Sequence, residues 1–148
     1  MNFKKDLEFG HKYELELLKH IDHDNYLIST GKFKPYDIKF FKDDKCIRYE
    51  VKADRLTIKT NNIAIEFECS NKPSGITTTR AKYYAYFVIK PNEEYDLYII
   101  KTKYIKECIK NKLYKRIVKG GDNYTSRMYI FDYSLFSNSN SNSNSSDS

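Results

Sequence analysis

Two acidic residues and a lysine stand at positions from which they could act together. Asp37 belongs to a short run of alternating apolar and polar residues, and Glu50 and Lys52 lie two residues apart in the next such run. Because strand side chains alternate between the faces of a sheet, Glu50 and Lys52 share a face. The polar residues 42–45 between the two runs predict a hairpin that brings Asp37 beside Glu50. Two carboxylates with a neighbouring ammonium group could bind a divalent cation and a phosphate.

Hydrolysis of a phosphodiester would need this combination of groups. Mg²⁺ takes oxygen ligands and usually keeps several waters beside one or two carboxylates. Asp37, Glu50 and the main-chain carbonyl of Val51 would supply such oxygens. A bound metal ion lowers the pKa of its water and polarises a phosphoryl oxygen, and Lys52 could orient that water, deprotonate it or hold the phosphate. We therefore expect Asp37, Glu50 and Lys52 to be catalytic, with Mg²⁺ or Mn²⁺ as the cofactor.

A third carboxylate, Glu14, lies within the clearest predicted helix, over residues 3–21. At about 100° per residue it falls in the middle of the apolar stripe that includes Leu17 and Ile21. A carboxylate on a core face is costly unless it is paired or bound to a metal. Two interpretations stay open: Glu14 forms an ion pair with a lysine or arginine at the edge of the core, or it reaches the site of Asp37 and Glu50.

The order Asp37, twelve intervening residues and then Glu50-Val51-Lys52 is similar to the D…(D/E)xK motif of the PD-(D/E)XK nuclease superfamily. Pro35 stands one position early for the Pro-Asp pair of that motif. The resemblance covers roughly residues 5–90. It implies an α/β fold with a restriction-endonuclease-like core, in which a mixed β-sheet is flanked by helices. Members often carry a glutamate on their first helix, which implies a catalytic and metal-binding role for Glu14.

The same resemblance extends to residues 74–84, where Ser74-Gly75-Ile76, the threonines, Ala81 and Tyr83-Tyr84 precede a hydrophobic strand. We predict a short helix over residues 76–83. In many such nucleases this helix lies beside the metal site, which implies that Thr78, Thr79 and Arg80 contact nucleic acid; Lys72, in the preceding loop, is a further candidate. Threonines that cap a helix and a solvated arginine are the alternative.

The remaining pattern predicts further strands and one more helix. The expected strands are 26–30, 63–69, 84–89, 95–100 and 128–133, and the amphipathic helix is 103–113. We expect strand 63–69 beside the Glu50 strand, where Glu66 or Glu68 would add charge to the site; two solvated glutamates are the alternative. Residues 54–62 are interpreted as a polar turn or hairpin arm, and residues 115–122 as basic and then flexible. We expect one nuclease-like domain over residues 1–136 and a disordered Ser/Asn-rich tail over residues 137–148.

Composition restricts the partner and the compartment. A net charge of +6 with a pI near 9.0 favours a polyanionic partner, although lysine-rich composition alone would give the same charge. The three cysteines lie far apart without zinc-ligand spacing, which favours a reducing compartment. The sequence contains no apolar run of membrane-spanning length and no signal-peptide core. We expect a soluble intracellular protein of the cytoplasm or nucleus, neither secreted nor membrane-bound.

The size is similar to that of small viral, phage and junction-resolving members of the superfamily, which favours DNA, branched or duplex, over RNA. Cleavage of both strands would require a homodimer, which no feature of the sequence tests. Two other hypotheses assign the protein to a class other than enzymes. One is a catalytically inactive nucleic-acid-binding or assembly module that keeps the nuclease fold; the other is a metal-free structural protein with a solvated acidic hairpin.

Overall fold

The computed structural model describes residues 3–31 and 34–137. This part of the chain alternates helices and strands, so its class is mixed α/β. The helices are α1 (Phe3–Leu17), α2 (Thr57–Thr60) and α3 (Thr102–Lys110). The strands are β1 (Asn25–Ile28), β2 (Ile38–Lys42), β3 (Lys45–Asp54), β4 (Asn62–Cys69), β5 (Lys72–Pro73), β6 (Tyr83–Ile89), β7 (Tyr95–Lys101), β8 (Arg116–Gly120) and β9 (Ser126–Asp132).

Five strands form a first, mixed sheet in the order β1-β2-β3-β6-β7. Strands β3 and β6 run parallel, and the other neighbouring pairs are antiparallel. The predicted hairpin is confirmed: β2 and β3 are joined at Asp43 and Asp44, which both have positive φ values, 50° and 64°. Tight hairpin turns of the type I′ family require positive φ at both central positions, and aspartate tolerates it.

The remaining four strands form a second sheet in the order β5-β4-β9-β8, in which every pairing is antiparallel. This sheet and α3 cover one face of the first sheet, where Ile65, Phe131 and Ile105 pack against Tyr84 and Tyr86. Helix α1 covers the opposite face. Strand β6 is therefore enclosed from both sides, which explains why its residues are almost uniformly apolar and buried rather than alternating.

Several expectations about local structure were wrong. Strand β4 does not lie beside the Glu50 strand, because it pairs with β5 and β9 in the second sheet; β6 takes that place. Residues 54–62 include the short helix α2 rather than a polar turn alone. The predicted helix over residues 76–83 is a single 3₁₀ turn at Gly75–Thr77 followed by extended chain. Residues 115–122, which we expected to end in flexible chain, contain strand β8.

The positions of several other elements are confirmed within the described residues. The first helix, the hairpin, strands β6, β7 and β9 and helix α3 occur where the sequence pattern placed them, with shifted ends. No helix within residues 3–31 and 34–137 is long and apolar enough to span a membrane. The predicted tail lies outside the described residues, apart from Ser137, whose backbone N–H donates a hydrogen bond to the carbonyl of Tyr133.

Candidate active site

Asp37 is anchored by the backbone of the neighbouring strand. Its own N–H donates to the carbonyl of Tyr49 over 2.9 Å, and its Oδ2 accepts a 2.7 Å hydrogen bond from the N–H of Val51. These two bonds span Glu50, so they fix the carboxylate of Asp37 beside that residue. Asp37 is only 8% exposed. A buried carboxylate needs such donors, because an unpaired charge away from water is strongly disfavoured.

Glu50 is the most perturbed carboxyl group of the site. It is part-buried on β3, and its pKa rises to about 8, first because burial disfavours the charged form and then because the charge of Asp37 lies close to it. The ammonium group of Lys52 lowers the pKa, the neighbouring Asp37 carboxyl raises it, and the nearby hydroxyl of Thr79, which donates to the carbonyl of Pro35 over 3.3 Å, lowers it slightly. The predicted neighbourhood of Asp37, Glu50 and Lys52 is thus present in the structure.

Lys34 is a member of the site that the sequence analysis missed. Its Nζ lies 3.1 Å from Oδ1 of Asp37 and 3.6 Å from Oε2 of Glu14. Burial disfavours its charge, but the two carboxylates outweigh burial and raise the pKa of Lys34. Its spacing of three residues from Asp37 was the available signal, although such pairs are too common in a lysine-rich chain to single it out. Lys34 therefore forms ion pairs both with Glu14 of helix α1 and with Asp37, the residue before β2.

Glu14 satisfies both interpretations left open by the sequence. It is 9% exposed, it forms the ion pair with Lys34, and through that lysine it lies next to Asp37. Burial raises the pKa of Glu14 more than Lys34 lowers it, and the charge of Asp37 raises it further. The exposed His11 contacts its other oxygen, with Nδ1 at 3.4 Å from Oε1. The carboxylate of Glu14 thus belongs to the charge cluster around Asp37.

Tyr84 lies directly across from Glu50 in the parallel pair of β3 and β6. Its side chain packs in the cluster that contains Ile65 and Phe131 of the second sheet, so it lies between the site and that sheet. Burial raises the pKa of its phenol, and the charges of Glu50, Asp37 and Glu66 raise it further. Glu66 accepts a 2.9 Å hydrogen bond from the hydroxyl of Ser74, whereas Glu68 contacts Arg127. Of the two glutamates considered for β4, Glu66 is the one whose charge reaches the residues of the site.

The loop of residues 74–80 closes the site from one side. At Gly75 φ is +52°, and a Cβ there would lie 2.1 Å from the carbonyl oxygen of Glu66. Glycine is therefore required where this loop touches β4. At its other end the N–H of Arg80 donates to the carbonyl of Pro35 over 2.8 Å, so the loop is tied to the segment that carries Asp37.

The four residues predicted to bind nucleic acid are not brought to one place. Thr79 contacts Glu50, while Thr78 and the side chain of Arg80 are exposed on the same loop. Lys72 is exposed on β5, at the edge of the second sheet. A role for each of the four in nucleic-acid binding stays a prediction.

The donor set fits a hydrated divalent cation rather than a fully enclosed one. Asp37 and Glu50 supply adjacent carboxylates, which Mg²⁺ or Mn²⁺ favours, and Mg²⁺ commonly uses only one or two protein carboxylates. Within residues 3–31 and 34–137 no group of three or more His, Cys, Asp or Glu side chains is arranged to hold a metal ion. Glu14, which contacts Lys34, therefore does not complete such a group as arranged here. A metal-ligand role for Val51 and Glu14 stays a prediction.

Comparisons with protein-family models, with curated proteins and with solved structures find no significant match for this chain.

Proposed function

We propose that this protein is a divalent-metal-dependent nuclease that hydrolyses phosphodiester bonds, with branched or duplex DNA favoured over RNA as substrate. The observation that carries the proposal is the position of Asp37 beside Glu50: Asp37 is hydrogen-bonded to both residues that flank Glu50, both carboxylates are buried or part-buried, and Lys52 follows two residues further along β3. The charge of Asp37 disfavours the ionised form of Glu50, and a cation between the two carboxylates would relieve this repulsion. The proposal also draws on the resemblance of Asp37 and Glu50-Val51-Lys52 to the motif of the PD-(D/E)XK superfamily.

Asp37 and Glu50 would hold Mg²⁺ or Mn²⁺, which when bound supplies a Lewis acid for the phosphoryl oxygen and a water of lowered pKa. Lys52 would orient that water or hold a non-bridging phosphate oxygen. Lys34 would keep Glu14 and Asp37 in place and add positive charge near an anionic substrate. Thr79, whose hydroxyl donates to the carbonyl of Pro35 over 3.3 Å, would lie beside Glu50 on a loop tied to the segment that carries Asp37.

The test is a cleavage assay on single-stranded RNA, single-stranded DNA, linear duplex and a four-way junction, each with Mg²⁺, Mn²⁺ or EDTA. The variants Asp37→Asn and Glu50→Gln remove one charge each and keep the size of the side chain. We expect both to reduce cleavage by about 100-fold or more, since removal of one preorganised electrostatic group commonly costs about 10²–10³ in rate. Glu68→Gln is a matched control, because Glu68 pairs with Arg127 outside the site.

Metal-dependent cleavage that is lost in both variants and retained in Glu68→Gln would bear out the proposal and name the substrate class. Cleavage that survives in EDTA, or in Glu50→Gln, would contradict it. Calorimetric titration of Mn²⁺ into wild type and Asp37→Asn separates metal binding from turnover, because the wild type is expected to bind the ion and the variant to bind it much more weakly.

A second function of another class is favoured by one observation. Lys34 contacts Glu14 and Asp37 together, so the protein balances part of the buried charge with its own ammonium group. This arrangement suits a metal-free nucleic-acid-binding or assembly module that keeps the fold without catalysis. Oligonucleotide binding with neither cleavage nor Mn²⁺ binding would select this alternative.

A further inference from the structure

The positive charge of the chain is concentrated in residues 101–127, which we call the basic segment. It contains nine lysines and arginines against two acidic residues, a net charge of +7, while the rest of the chain contains seventeen against eighteen. The excess that makes the protein basic therefore lies between the end of β7 and the start of β9, and not around Asp37 and Glu50. A surface of this kind attracts polyanions.

Within this segment some charges are already paired and others are not. Lys115 pairs with Asp132, and Arg127 pairs with Glu68. Lys106 and Lys110 are exposed on α3, and in the described part of the chain no carboxylate lies within 4.0 Å of either ammonium group. They are four residues apart, so they stand one above the other on one side of the helix. Two free ammonium groups one turn apart suit two oxygens of a phosphate backbone.

These two lysines border a groove of about 280 Å³. Its other lining residues are Ile76, Thr77, Ile109 and Tyr129. The volume is just below the range for small-molecule sites, which is about 300–1,000 Å³, so the groove suits one nucleotide rather than a folded element of a partner. Tyr129 packs between Phe67 and Tyr114, with ring centroids 4.3 and 4.7 Å away, so this aromatic wall is held in position.

The groove adjoins the candidate active site through a short, fixed piece of chain. Thr77 lines the groove, and its hydroxyl donates a 2.8 Å hydrogen bond to the carbonyl of Phe67. Thr79, two residues further on, contacts Glu50. Gly75 holds the same loop against β4. A strand whose phosphate lay at Glu50 would therefore pass over this loop to reach the groove.

We infer that the groove between the Gly75–Thr77 turn and α3 is a nucleotide subsite for single-stranded nucleic acid. Lys106 and Lys110 bind its phosphates, and one base lies against Ile76, Ile109 and Tyr129. The choice of nucleic acid as the occupant of the groove rests on the proposed function. Apolar and aromatic surface beside a positive stripe is the arrangement by which proteins bind single strands without sequence preference. An acidic peptide would meet the charges but would make no use of a base-sized apolar recess.

The test measures fluorescence anisotropy of labelled 12-mers of oligo-dT, oligo-rU and a DNA duplex with the full chain in EDTA, at 50 and 200 mM salt. The groove variant is Lys106→Glu/Lys110→Glu. The matched control is Lys103→Glu/Lys119→Glu, which makes the same change of charge within the basic segment at exposed residues that do not line the groove. Thermal unfolding of both variants verifies that they fold.

We expect the groove variant to weaken binding of a single-stranded 12-mer at least 10-fold and the control to weaken it less than 3-fold. Equal losses in the two variants would overturn the inference, because the charge would then act diffusely. Unchanged binding in the groove variant would overturn it too, as would tight groove-dependent binding of poly-glutamate in place of oligonucleotide.

Cleavage assays keep this inference apart from the proposed function. Groove-dependent binding by a protein that never cleaves would uphold the subsite and refute the nuclease. Cleavage by a protein whose groove variant binds oligonucleotides normally would uphold the nuclease and refute the subsite.

Discussion

The end of the first sheet at Asp37 and the surface around α3 are both densely charged, but they are built in opposite ways. Around Asp37, the charged groups are buried or part-buried, and Lys34 contacts the carboxylates of both Asp37 and Glu14. Around α3, lysines are exposed, and those on the groove lack a carboxylate partner in the described residues. Buried charge must be compensated one group at a time, whereas exposed charge acts by its sum. The first arrangement suits chemistry at a point, and the second suits attraction of a long polyanion.

The largest expected effect is on the cleavage rate of a Lys52 variant, which distinguishes a role in catalysis from a role in binding the polyanion. Lys52→Ala should lower the cleavage rate by about 100-fold or more, because an ammonium group beside a reacting phosphate acts on charge that develops in the transition state. It should leave the affinity for a single-stranded 12-mer in EDTA within about 2-fold. Rate and anisotropy measurements on the same preparation test both statements. Weakened binding without slower cleavage would place Lys52 with the exposed charges instead.

The next effect concerns the loop that adjoins both regions. Gly75→Ala should lower the free energy of unfolding by about 2–3 kcal/mol, because the new Cβ meets the backbone of Glu66 and φ at this position is positive. Urea unfolding measures the change. A loss below 0.5 kcal/mol, roughly the effect of an ordinary surface substitution, would show that the loop is not held against β4.

The pH dependence of stability tests whether Glu50 is buried with its charge uncompensated. In the folded protein its pKa is about 8, above the value of about 4.3 for an unfolded glutamate, so the folded state retains a proton that the unfolded chain has lost. The stability that this proton provides is fully present below about pH 4.3 and is lost as the pH rises through 8. In EDTA, Glu50→Gln should therefore gain on the order of 4 kcal/mol relative to wild type between pH 5 and pH 8.5, since the loss in wild type runs over about three pH units and one pKa unit corresponds to about 1.4 kcal/mol.

The control for this comparison is Glu68→Gln, which should follow the wild type across the same range of pH. Addition of Mn²⁺ should reduce the difference at pH 8.5, because a cation favours the charged form of Glu50. Parallel stability curves for wild type and Glu50→Gln would contradict the raised pKa.

Removal of the ammonium group of Lys34 tests how far this lysine compensates the buried charges of Glu14 and Asp37. Lys34→Met should lower the free energy of unfolding in EDTA by about 1–2 kcal/mol, because Glu14 and Asp37 lose their shared partner. It should raise the affinity for Mn²⁺ several-fold, since a competing positive charge is gone. Calorimetric titration measures this, with the exposed Lys59→Met as control. Unchanged or weaker Mn²⁺ binding would contradict the prediction.

The smallest expected effect lies outside both regions. Gly10 is in α1, and nothing lies within 4 Å of the position that a Cβ would occupy. Gly10→Ala should therefore stabilise the protein by about 0.5–1 kcal/mol, because alanine loses less backbone entropy in a helix. It should leave cleavage unchanged. Thermal unfolding measures the gain, and a destabilised variant would show that α1 requires the glycine.

The parts of the candidate site that follow from local patterns were predictable. Alternation over residues 37–41 and 46–52 places Asp37 beside Glu50, and helical periodicity places Glu14 on the buried side of α1. Contacts between distant segments were not predictable in this way. Nothing local states that β3 pairs with β6, or that β4 pairs with β9. The helix expected at residues 76–83 failed because Gly75 adopts positive φ against β4, and only the tertiary contact reveals that constraint.

Pairing of β4 with β9 has a consequence for biosynthesis. Strand β4, residues 62–69, leaves the ribosome more than fifty residues before strand β9, residues 126–132. Strand β9 pairs with β4 along the edge that includes Ile63 and Ile65. Until then β4 has an open edge and the loop at Gly75 has no completed sheet to dock against. A nascent or truncated chain that ends before β9 therefore lacks the support that carries Thr79 to Glu50. On the proposed function, activity arises only once β9 has been made.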